Sequence, residues 1–377
     1  MKTKIAYVLV SSHRDLFWEQ CLISVMSLRH HMPDAHTVLV CDTETKESLK
    51  AGIRNELSNY FSEIISISFD EKTGNTKRSR ILKVTLREII TGDFLYIDCD
   101  TLITQQLCDI DNLSYPIAAV LDGHCLFKSH PMREFFLKQN KHLDYAHDSI
   151  VKYFNAGVMH VKDIEETHSF YKLWHDNYLT SCEKGIYLDE PALSKTNIEL
   201  GNMIQEINGT WNCQIRFGAL FLATNKILHF CSKKNMPVSI LSNKVYLRKI
   251  KEHGVDTLGL LKYIADWRSS ISPGMVTCFG NDASFAVSPC YEKQRYDYIT
   301  HNTAMHLYNP KLSFREKIQC YKNRIIGLIS PRYLSCMLYK EAFGKKIQNA
   351  ADNDFNKMLH MLAFYSDISE WPILADK

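Results

Sequence analysis

Two acidic residues separated by one position follow an apolar segment in the stretch DFLYIDCDTLI. Phe94–Ile97 is apolar, and Asp98 and Asp100 come directly after it. Four apolar residues in succession are typical of a strand covered on both faces, as in a parallel sheet. In an extended chain the two carboxylates point to the same side, where they repel each other unless they share a cation. Such oxygen ligands favour Mg²⁺ or Mn²⁺.

The same pair has a second interpretation that needs no metal. Asp98 can cap a following helix while Asp100 is simply solvated. Against this stands the position of the pair, because the carboxyl ends of strands are where open α/β sheets bind ligands. The pair by itself leaves both interpretations open, and the surrounding elements must decide between them.

Strands and helices alternate along the first hundred residues. We predict strands over 5–10, 37–41, 64–69 and 94–97, and helices over 17–31 and 76–90, the second ended by Gly92 as a C′ glycine. Further on, we predict strands over 117–121, 157–161, 204–207 and 227–230, a helix up to about residue 179, and a helix with Asp189 at its N-cap and Pro191 early in its first turn. This alternation predicts an α/β fold with a doubly wound sheet.

Composition excludes several classes of protein. The chain has 377 residues and a net charge of only +3, so it carries no nucleic-acid-binding signature. Its longest apolar runs fall far short of the roughly 20 residues of a membrane span. The basic first residues lead into a short apolar run that is typical of a first strand and not of a signal peptide. The 12 cysteines form no C-x-x-C pair, which predicts reduced thiols, a cytoplasmic protein and no zinc site.

The segment 311–346 differs from the rest of the chain. It contains nine basic residues and only two acidic ones, interleaved with aromatic and aliphatic side chains. A basic amphipathic segment of this kind is typical of proteins that bind an anionic membrane surface. The alternative is a helical cap that packs its apolar face on the main domain and leaves its lysines in solvent. The sequence leaves both open.

Four segments together resemble a known family. FLYIDCDTLI is similar to the strand and D-x-D segment of the GT-A nucleotide-sugar glycosyltransferases, and YFNAGVMHVKD, LDEPAL and ILHFCSKKNMP are similar to three further segments of their retaining family 8. The segments occur in family order, and with the first strand they span about residues 5 to 237. The resemblance implies a GT-A fold, a mixed sheet flanked by helices, over residues 1–240, followed by a mainly helical, partly basic extension over 241–377.

The resemblance assigns a metal site and two acidic catalytic positions. Asp98, Asp100 and His229 would hold a divalent cation that bridges the donor diphosphate, and an imidazole ligand favours Mn²⁺ over Mg²⁺. Asp189 would contact hydroxyls of the donor sugar. Glu190 occupies the position of a nucleophile or of a group that stabilises an oxocarbenium-like centre. A purely structural role stays open for His229, Asp189 and Glu190. His229 could be a hydrogen-bonded histidine at a strand end, and the two acids could belong to a first helical turn, where the helix dipole favours negative charge.

The remaining donor-binding residues also come from the resemblance. Asn155, Ala156 and Gly157 would contact the donor sugar, Gly157 by allowing close approach of the backbone. Lys83 and Arg80 share a helix face and would approach the diphosphate or ribose, although this basic stretch could equally be solvated. Ser11 and Ser12 stand where the family recognises uracil. Ser232 and Asn235 replace the family's glycine and lysine, so that Lys233 or Lys234 would reach the phosphate instead.

Together these features predict a metal-dependent hexosyltransferase. We expect it to use a UDP-hexose donor and a glycan acceptor of the surface polysaccharide or lipopolysaccharide type on a lipid carrier, with retention. We expect a cytoplasmic chain held at the inner face of the membrane through 311–346. Two other classes remain open: a non-catalytic nucleotide-sugar or glycan-binding protein with a decayed site, and a haloacid-dehalogenase-like phosphatase.

Overall fold

The computed structural model describes residues 1–50, 52–130, 132–141, 143, 150–214, 221, 225–231, 241, 244–265, 278–280 and 285–287. Its strands are β1 Lys4–Leu9, β2 Thr37–Asp42, β3 Glu63–Ile67, β4 Phe94–Ile97, β5 Thr101–Ile103, β6 Ile117–Leu121, β7 Phe154–Val161, β8 Ile204–Glu206, β9 Cys213–Gln214, β10 Ile227–His229, β11 Cys278–Gly280 and β12 Phe285–Val287. Its helices are α1 Phe17–His31, α2 Thr43–Ser48, α3 Ile53–Leu57, α4 Asn75–Val84, α5 Leu86–Ile89, α6 Arg133–Lys141, α7 Glu165–Glu183, α8 Glu190–Glu199, α9 Lys244–His253 and α10 Thr257–Ala265.

Seven strands form one mixed sheet in the order β3-β2-β1-β4-β7-β6-β8. The first four in this order are parallel, as expected for strands joined through helices. β7 runs antiparallel to both neighbours, β4 and β6. The predicted α/β class with a mixed sheet flanked by helices is therefore confirmed.

Each face of this sheet supports its own buried core, because alternate residues of a strand point to opposite faces. Ile5 and Tyr7 of β1 pack on one side with the apolar residues of α1. Ala6 and Val8 pack on the other side, together with residues of α4 and α7. Both faces of β1 and β4 are covered, which explains why their sequences are continuously apolar.

A second, three-stranded sheet in the order β5-β10-β9 begins where β4 ends. Only Asp98, Cys99 and Asp100 separate β4 in the large sheet from β5 in the small one. β10 pairs antiparallel with β5 and sets His229 opposite Thr101. The backbone N–H of Phe230 donates to the Asp100 carbonyl over 3.1 Å. The junction of the two sheets thus brings the two aspartates next to a histidine more than a hundred residues away in sequence.

Two local predictions were wrong. The helix predicted over 76–90 is interrupted at Thr85, whose side-chain hydroxyl donates to the Ile81 carbonyl over 2.8 Å, and it continues as the short α5. Gly92 has a positive φ of 78° but does not serve as the C′ residue, because α5 already ends at Ile90 in an extended conformation. Among the described helices, none combines the length and apolar character needed to cross a membrane.

Candidate active site

Asp98, Asp100 and His229 converge at the junction of the two sheets. One ligand atom from each lies within 4.8 Å of the others, an arrangement that could hold a metal ion. His229 Nε2 is 3.2 Å from Asp100 Oδ1 and 3.8 Å from Asp98 Oδ2. Burial would lower the pKa of His229, but Cys231 and Asp100 beside the ring raise it well above its ordinary value. The imidazole thus sits where a positive charge is favoured, as a cation site requires.

The surroundings of the three residues fit a bound cation. His229 is buried, and its Nδ1 lies 2.9 Å from the Asn212 Oδ1 atom, so Nε2 is the nitrogen directed at the carboxylates. Gly157 lines the same space. A Cβ atom added there would lie 2.4 Å from His229 Cε1 and 2.8 Å from Asp98 Oδ2. Two carboxylates and one neutral imidazole suit Mn²⁺, and the carboxylates alone also suit Mg²⁺.

Asp98 does not cap a helix, because the chain continues as strand β5. The backbone N–H of Asp98 donates to the Gly157 carbonyl over 2.8 Å, which ties the end of β4 to β7. Its carboxylate accepts a hydrogen bond from the Tyr96 hydroxyl and lies 3.7 Å from Lys83 Nζ. The capping interpretation of Asp98 was wrong.

Asp189 forms the centre of a buried ion cluster next to Asp98. Its carboxylate lies 2.8 Å from Lys83 Nζ and 2.9 Å from Arg80 Nε. Burial alone would raise the pKa of Asp189, but the two cations outweigh burial and hold it well below its usual range. Asp189 stands at the N-cap of α8, as predicted, but its side chain makes no capping hydrogen bond to that helix. The two basic residues on α4 pull the carboxylate away from the helix terminus.

Glu190 opens α8 beside this cluster. Burial and the negative charge of Asp189 raise the pKa of Glu190 to about 7. Its Oε2 atom is buried and has no hydrogen-bond partner in the part of the chain that the structure describes. A buried carboxylate oxygen without a partner is costly in a folded protein unless a ligand completes it. The pKa of the Glu190 carboxylate therefore lies near neutral pH. Its role as a nucleophile or stabilising group stays a prediction.

A cavity of about 320 Å³ adjoins the two clusters. Arg80, Asp98 and Asp100 line it, together with the exposed aromatic ring of Phe17. Ser11 and Ser12 follow β1 but do not line it; Ser11 Oγ donates to Asp15 Oδ1 over 2.6 Å, and the Ser12 backbone N–H donates to Asp15 Oδ2 over 2.7 Å. Their role in base recognition stays a prediction.

Asn155 and Ala156 lie on β7 behind the metal ligands. Asn155 Nδ2 donates to Asp122 Oδ1 over 2.8 Å, and Asn155 Oδ1 accepts from Asn212 Nδ2 over 2.8 Å. Ala156 is buried in the core. The proposed contacts of both residues with a sugar stay predictions.

Asp122 and Asn212 are polar residues of the site that the sequence analysis did not identify. Asp122 directly follows the apolar strand β6, as Asp98 follows β4, so the same strand-end pattern would have found it. Asn212 ends a single helical turn, 209–212, and carries no periodic signal. Lys233 and Lys234, with Ser232 and Asn235, lie outside the described residues, as does the segment 311–346. Of the predicted extension 241–377, the structure describes α9, α10 and the antiparallel pair β11–β12.

Comparison with known proteins gives one family match and several solved structures. The model of glycosyl transferase family 8 matches residues 8–235. Mouse xyloside xylosyltransferase 1 in its apo form is 15% identical with a TM-score of 0.42, over 63% of this chain and 100% of that one. The galactosyltransferase LgtC in complex with donor and acceptor sugar analogs is 14% identical with a TM-score of 0.46, over 71% and 100%. GlyE of Streptococcus pneumoniae TIGR4 is 17% identical with a TM-score of 0.43, over 71% and 64%.

No curated protein matches the chain. The four segments singled out above, 94–103, 153–163, 188–193 and 227–237, all lie within the matched residues or overlap them. The match extends from β1 to just beyond β10 and therefore covers both sheets that build the site. Because it includes more than half of the chain, this protein belongs to glycosyl transferase family 8 and is a glycosyltransferase.

Proposed function

We propose that this glycosyltransferase moves a hexose, such as glucose or galactose, from a UDP-sugar to a hydroxyl of a glycan acceptor, with retention and with Mn²⁺ or Mg²⁺ as cofactor. The observation that carries the proposal is the adjacency of two groups of residues. Asp98, Asp100 and His229 lie within ligand distance of one cation, and Lys83 joins Asp98 to the buried cluster around Asp189. Asp98 and Asp100 of the metal site and Arg80 of the ion cluster line one cavity, and the buried Asp189 lies directly behind Arg80.

The charges of this site match the needs of a diphosphate leaving group. A divalent cation held by Asp98, Asp100 and His229 would neutralise the negative charge that grows on the nucleoside diphosphate as the sugar departs. Arg80 lines the cavity and keeps its positive charge, because the Asp189 carboxylate raises its pKa. Fixed charges of this kind stabilise a transition state without having to reorganise.

Glu190 supplies the carboxylate for the sugar. In its ionised form it would stabilise positive charge at the anomeric carbon or attack that carbon, and either role is compatible with retention. The raised pKa means that a substantial part of the population is protonated at neutral pH. Asp189 would contact sugar hydroxyls through whichever lone pairs Lys83 and Arg80 leave open.

The acceptor and location are also part of the proposal. A growing surface polysaccharide or lipopolysaccharide on a lipid carrier would supply the hydroxyl. The nine basic residues of 311–346 would hold a cytoplasmic enzyme at the inner face of the membrane where such carriers lie.

The test uses the full chain with a panel of nucleotide sugars. Release of nucleoside diphosphate is measured with Mn²⁺, with Mg²⁺ and with EDTA, and the anomeric configuration of the product is read by NMR. We expect activity with a UDP-hexose and metal, a product that keeps the donor's configuration, and loss of activity in Asp100→Ala and His229→Ala. Asp176→Asn, a change of an exposed carboxylate on α7, serves as the control.

Three results would contradict parts of the proposal. Near-normal turnover of Asp100→Ala refutes the metal assignment. A product of opposite configuration refutes retention. Stabilisation by a nucleotide sugar in a thermal shift assay, with no turnover of any donor, favours the non-catalytic binding protein.

A further inference from the structure

Five buried polar side chains follow one another behind the metal centre, and hydrogen bonds join the first four. Each is more than nine-tenths buried. The hydrogen bonds run from His229 on β10 through Asn212 and Asn155 on β7 to Asp122 after β6, and His130 lies in close polar contact with Asp122. The series thus crosses from the small sheet to the large one. We call these five residues the polar relay.

A backbone N–H group fixes the direction of the hydrogen bonds at the centre of the polar relay. The N–H of Gly157 donates to the Asn155 side chain over 3.0 Å, so the receiving atom must be oxygen, Oδ1. The same oxygen is 2.8 Å from the side chain of Asn212, which therefore faces it with its amide nitrogen, Nδ2. The other atom of the Asn212 amide, Oδ1, is then left to accept from His229 Nδ1.

The far end of the polar relay imposes the same direction independently. The Asp122 carboxylate can only accept, and its Oδ1 atom accepts a hydrogen bond from Asn155 Nδ2. The backbone N–H of Met132 donates to His130 Nδ1 over 2.9 Å, and His130 Nε2 lies 3.0 Å from Asp122 Oδ2. The Gly157 N–H and the Asp122 carboxylate thus agree on the orientation of the Asn155 amide, which in turn fixes that of Asn212.

From this geometry we infer that Asn212 is a positioning residue for the metal centre. It holds His229 with hydrogen on Nδ1 and with Nε2 directed at Asp98 and Asp100, and Asn155 and Asp122 fix Asn212 in that orientation. The inference rests on the proposed metal-dependent function. It assigns to Asn212 an indirect role: the residue acts on the cation only through the ring of His229.

The effect on metal affinity follows from the loss of one acceptor. Removing the partner of a metal-bound histidine typically weakens metal binding by about 10- to 100-fold, because the ring loses both its orientation and part of its basicity. Asn212 is fully buried, so no solvent molecule replaces the lost acceptor without rearrangement.

Two substitutions at this one position separate positioning from structural support. Asn212→Leu is close in size and removes the acceptor for His229. Asn212→Asp keeps an oxygen for His229 Nδ1. Both variants lose the Nδ2 donor to Asn155 Oδ1, and they differ in whether an acceptor for His229 Nδ1 remains and in the negative charge that the aspartate adds.

Binding of Mn²⁺ to the full chain is measured by the electron paramagnetic resonance of the free ion, and folding by circular dichroism. We expect Asn212→Leu to bind Mn²⁺ about 10- to 100-fold more weakly than wild type and to recover most of kcat at saturating Mn²⁺. We expect Asn212→Asp to bind Mn²⁺ close to wild type. Equal affinity of Asn212→Leu and wild type, or equal weakening in both variants, overturns the inference.

The same titration distinguishes this inference from the proposed function. A wild-type chain that binds neither Mn²⁺ nor Mg²⁺ refutes the metal-dependent function and the positioning role together. A wild-type chain that binds Mn²⁺ but transfers no sugar refutes only the transfer, and the two Asn212 variants then still decide the positioning role.

Discussion

Neutralising Asp189 should destabilise the fold far more than removing one of its partners. Asp189→Asn keeps the shape of the side chain but leaves Lys83 and Arg80 facing each other across an uncharged group. Lys83 is buried, and its next carboxylate, Asp98, is 3.7 Å away. Breaking a buried ion pair by removing one member costs about 3–5 kcal/mol. We expect the upper part of this range for Asp189→Asn.

Lys83→Met is the variant whose loss of unfolding free energy is compared with that of Asp189→Asn. In that variant Asp189 keeps Arg80 at 2.9 Å, so we expect a loss near the lower end, about 3 kcal/mol. The double variant Lys83→Met, Asp189→Leu removes both members of this buried pair, and such replacements are often nearly neutral; Arg80 also loses its partner, but its side chain is 32% exposed. Compared with the single variants Lys83→Met and Asp189→Leu, the two changes should therefore couple by about 2 kcal/mol or more, with the double variant more stable than the sum of the singles predicts.

Urea unfolding followed by circular dichroism measures these free energies. Glu47→Gln, which breaks the exposed ion pair with Lys50, is the control and should change stability by less than about 0.5 kcal/mol. If Asp189→Asn unfolds at the urea midpoint of wild type, or if the two changes at 83 and 189 are additive, the buried cluster does not contribute to stability as argued. Recovered stability without recovered activity in the double variant is expected, because both groups are proposed to contact the donor.

Three further predictions concern the chemistry of the site and the membrane. Because the pKa of Glu190 is raised to about 7, kcat should rise as the carboxylate ionises through that pH and level off above it, and Glu190→Gln should lose this dependence in a pH–rate profile. Gly157→Ala should weaken Mn²⁺ binding about tenfold or more, measured by titration of the free ion, because its Cβ would collide with His229 and Asp98. The segment 311–346 should carry the chain onto anionic liposomes at low salt and release it at high salt in a sedimentation assay, since each basic residue near such a surface contributes about 1 kcal/mol and ions screen it.

A Glu190→Gln enzyme with wild-type activity and the same pH profile would show that the carboxyl charge does no chemistry. Gly185→Ala lies in a positive-φ turn with no atom within 4 Å of the added Cβ, and it should leave Mn²⁺ affinity unchanged. If the full chain stays in the supernatant at low salt, 311–346 is not a membrane-binding segment.

The parts of the site that the sequence predicted are those with a local pattern. Asp98 follows four apolar residues, and Lys83 lies three positions after Arg80 on one helix; this local geometry fits the roles that the family resemblance implies for them. The α/β alternation was equally local, and the strands of the large sheet lie within a few residues of their predicted bounds.

The parts that the sequence did not predict depend on contacts between distant segments. Asn212 joins the site only because β10 pairs with β5 and carries His229 against the turn before β9. The helical turn that holds Asn212 is too short to leave a periodic pattern in the sequence. Asp189 stands at the helix N-cap that its local pattern predicted, but its carboxylate pairs with two cations from another helix and makes no capping hydrogen bond. Tertiary electrostatics decide the partners of this carboxylate, and no window of neighbouring residues contains that information.

The short passage from β4 to β5 has a consequence for how the molecule folds and holds together. A cation at this point would link the two sheets, because Asp98 follows the end of β4 in the large sheet and His229 belongs to β10 in the small one. Metal binding would then also stabilise the packing of the three-stranded sheet against the large sheet. Removing the metal would therefore lower the melting temperature as well as the activity. Amide hydrogens of β9 and β10 should exchange faster in chelator than those of β1 and β2, since the small sheet would loosen first while the large one keeps its two cores.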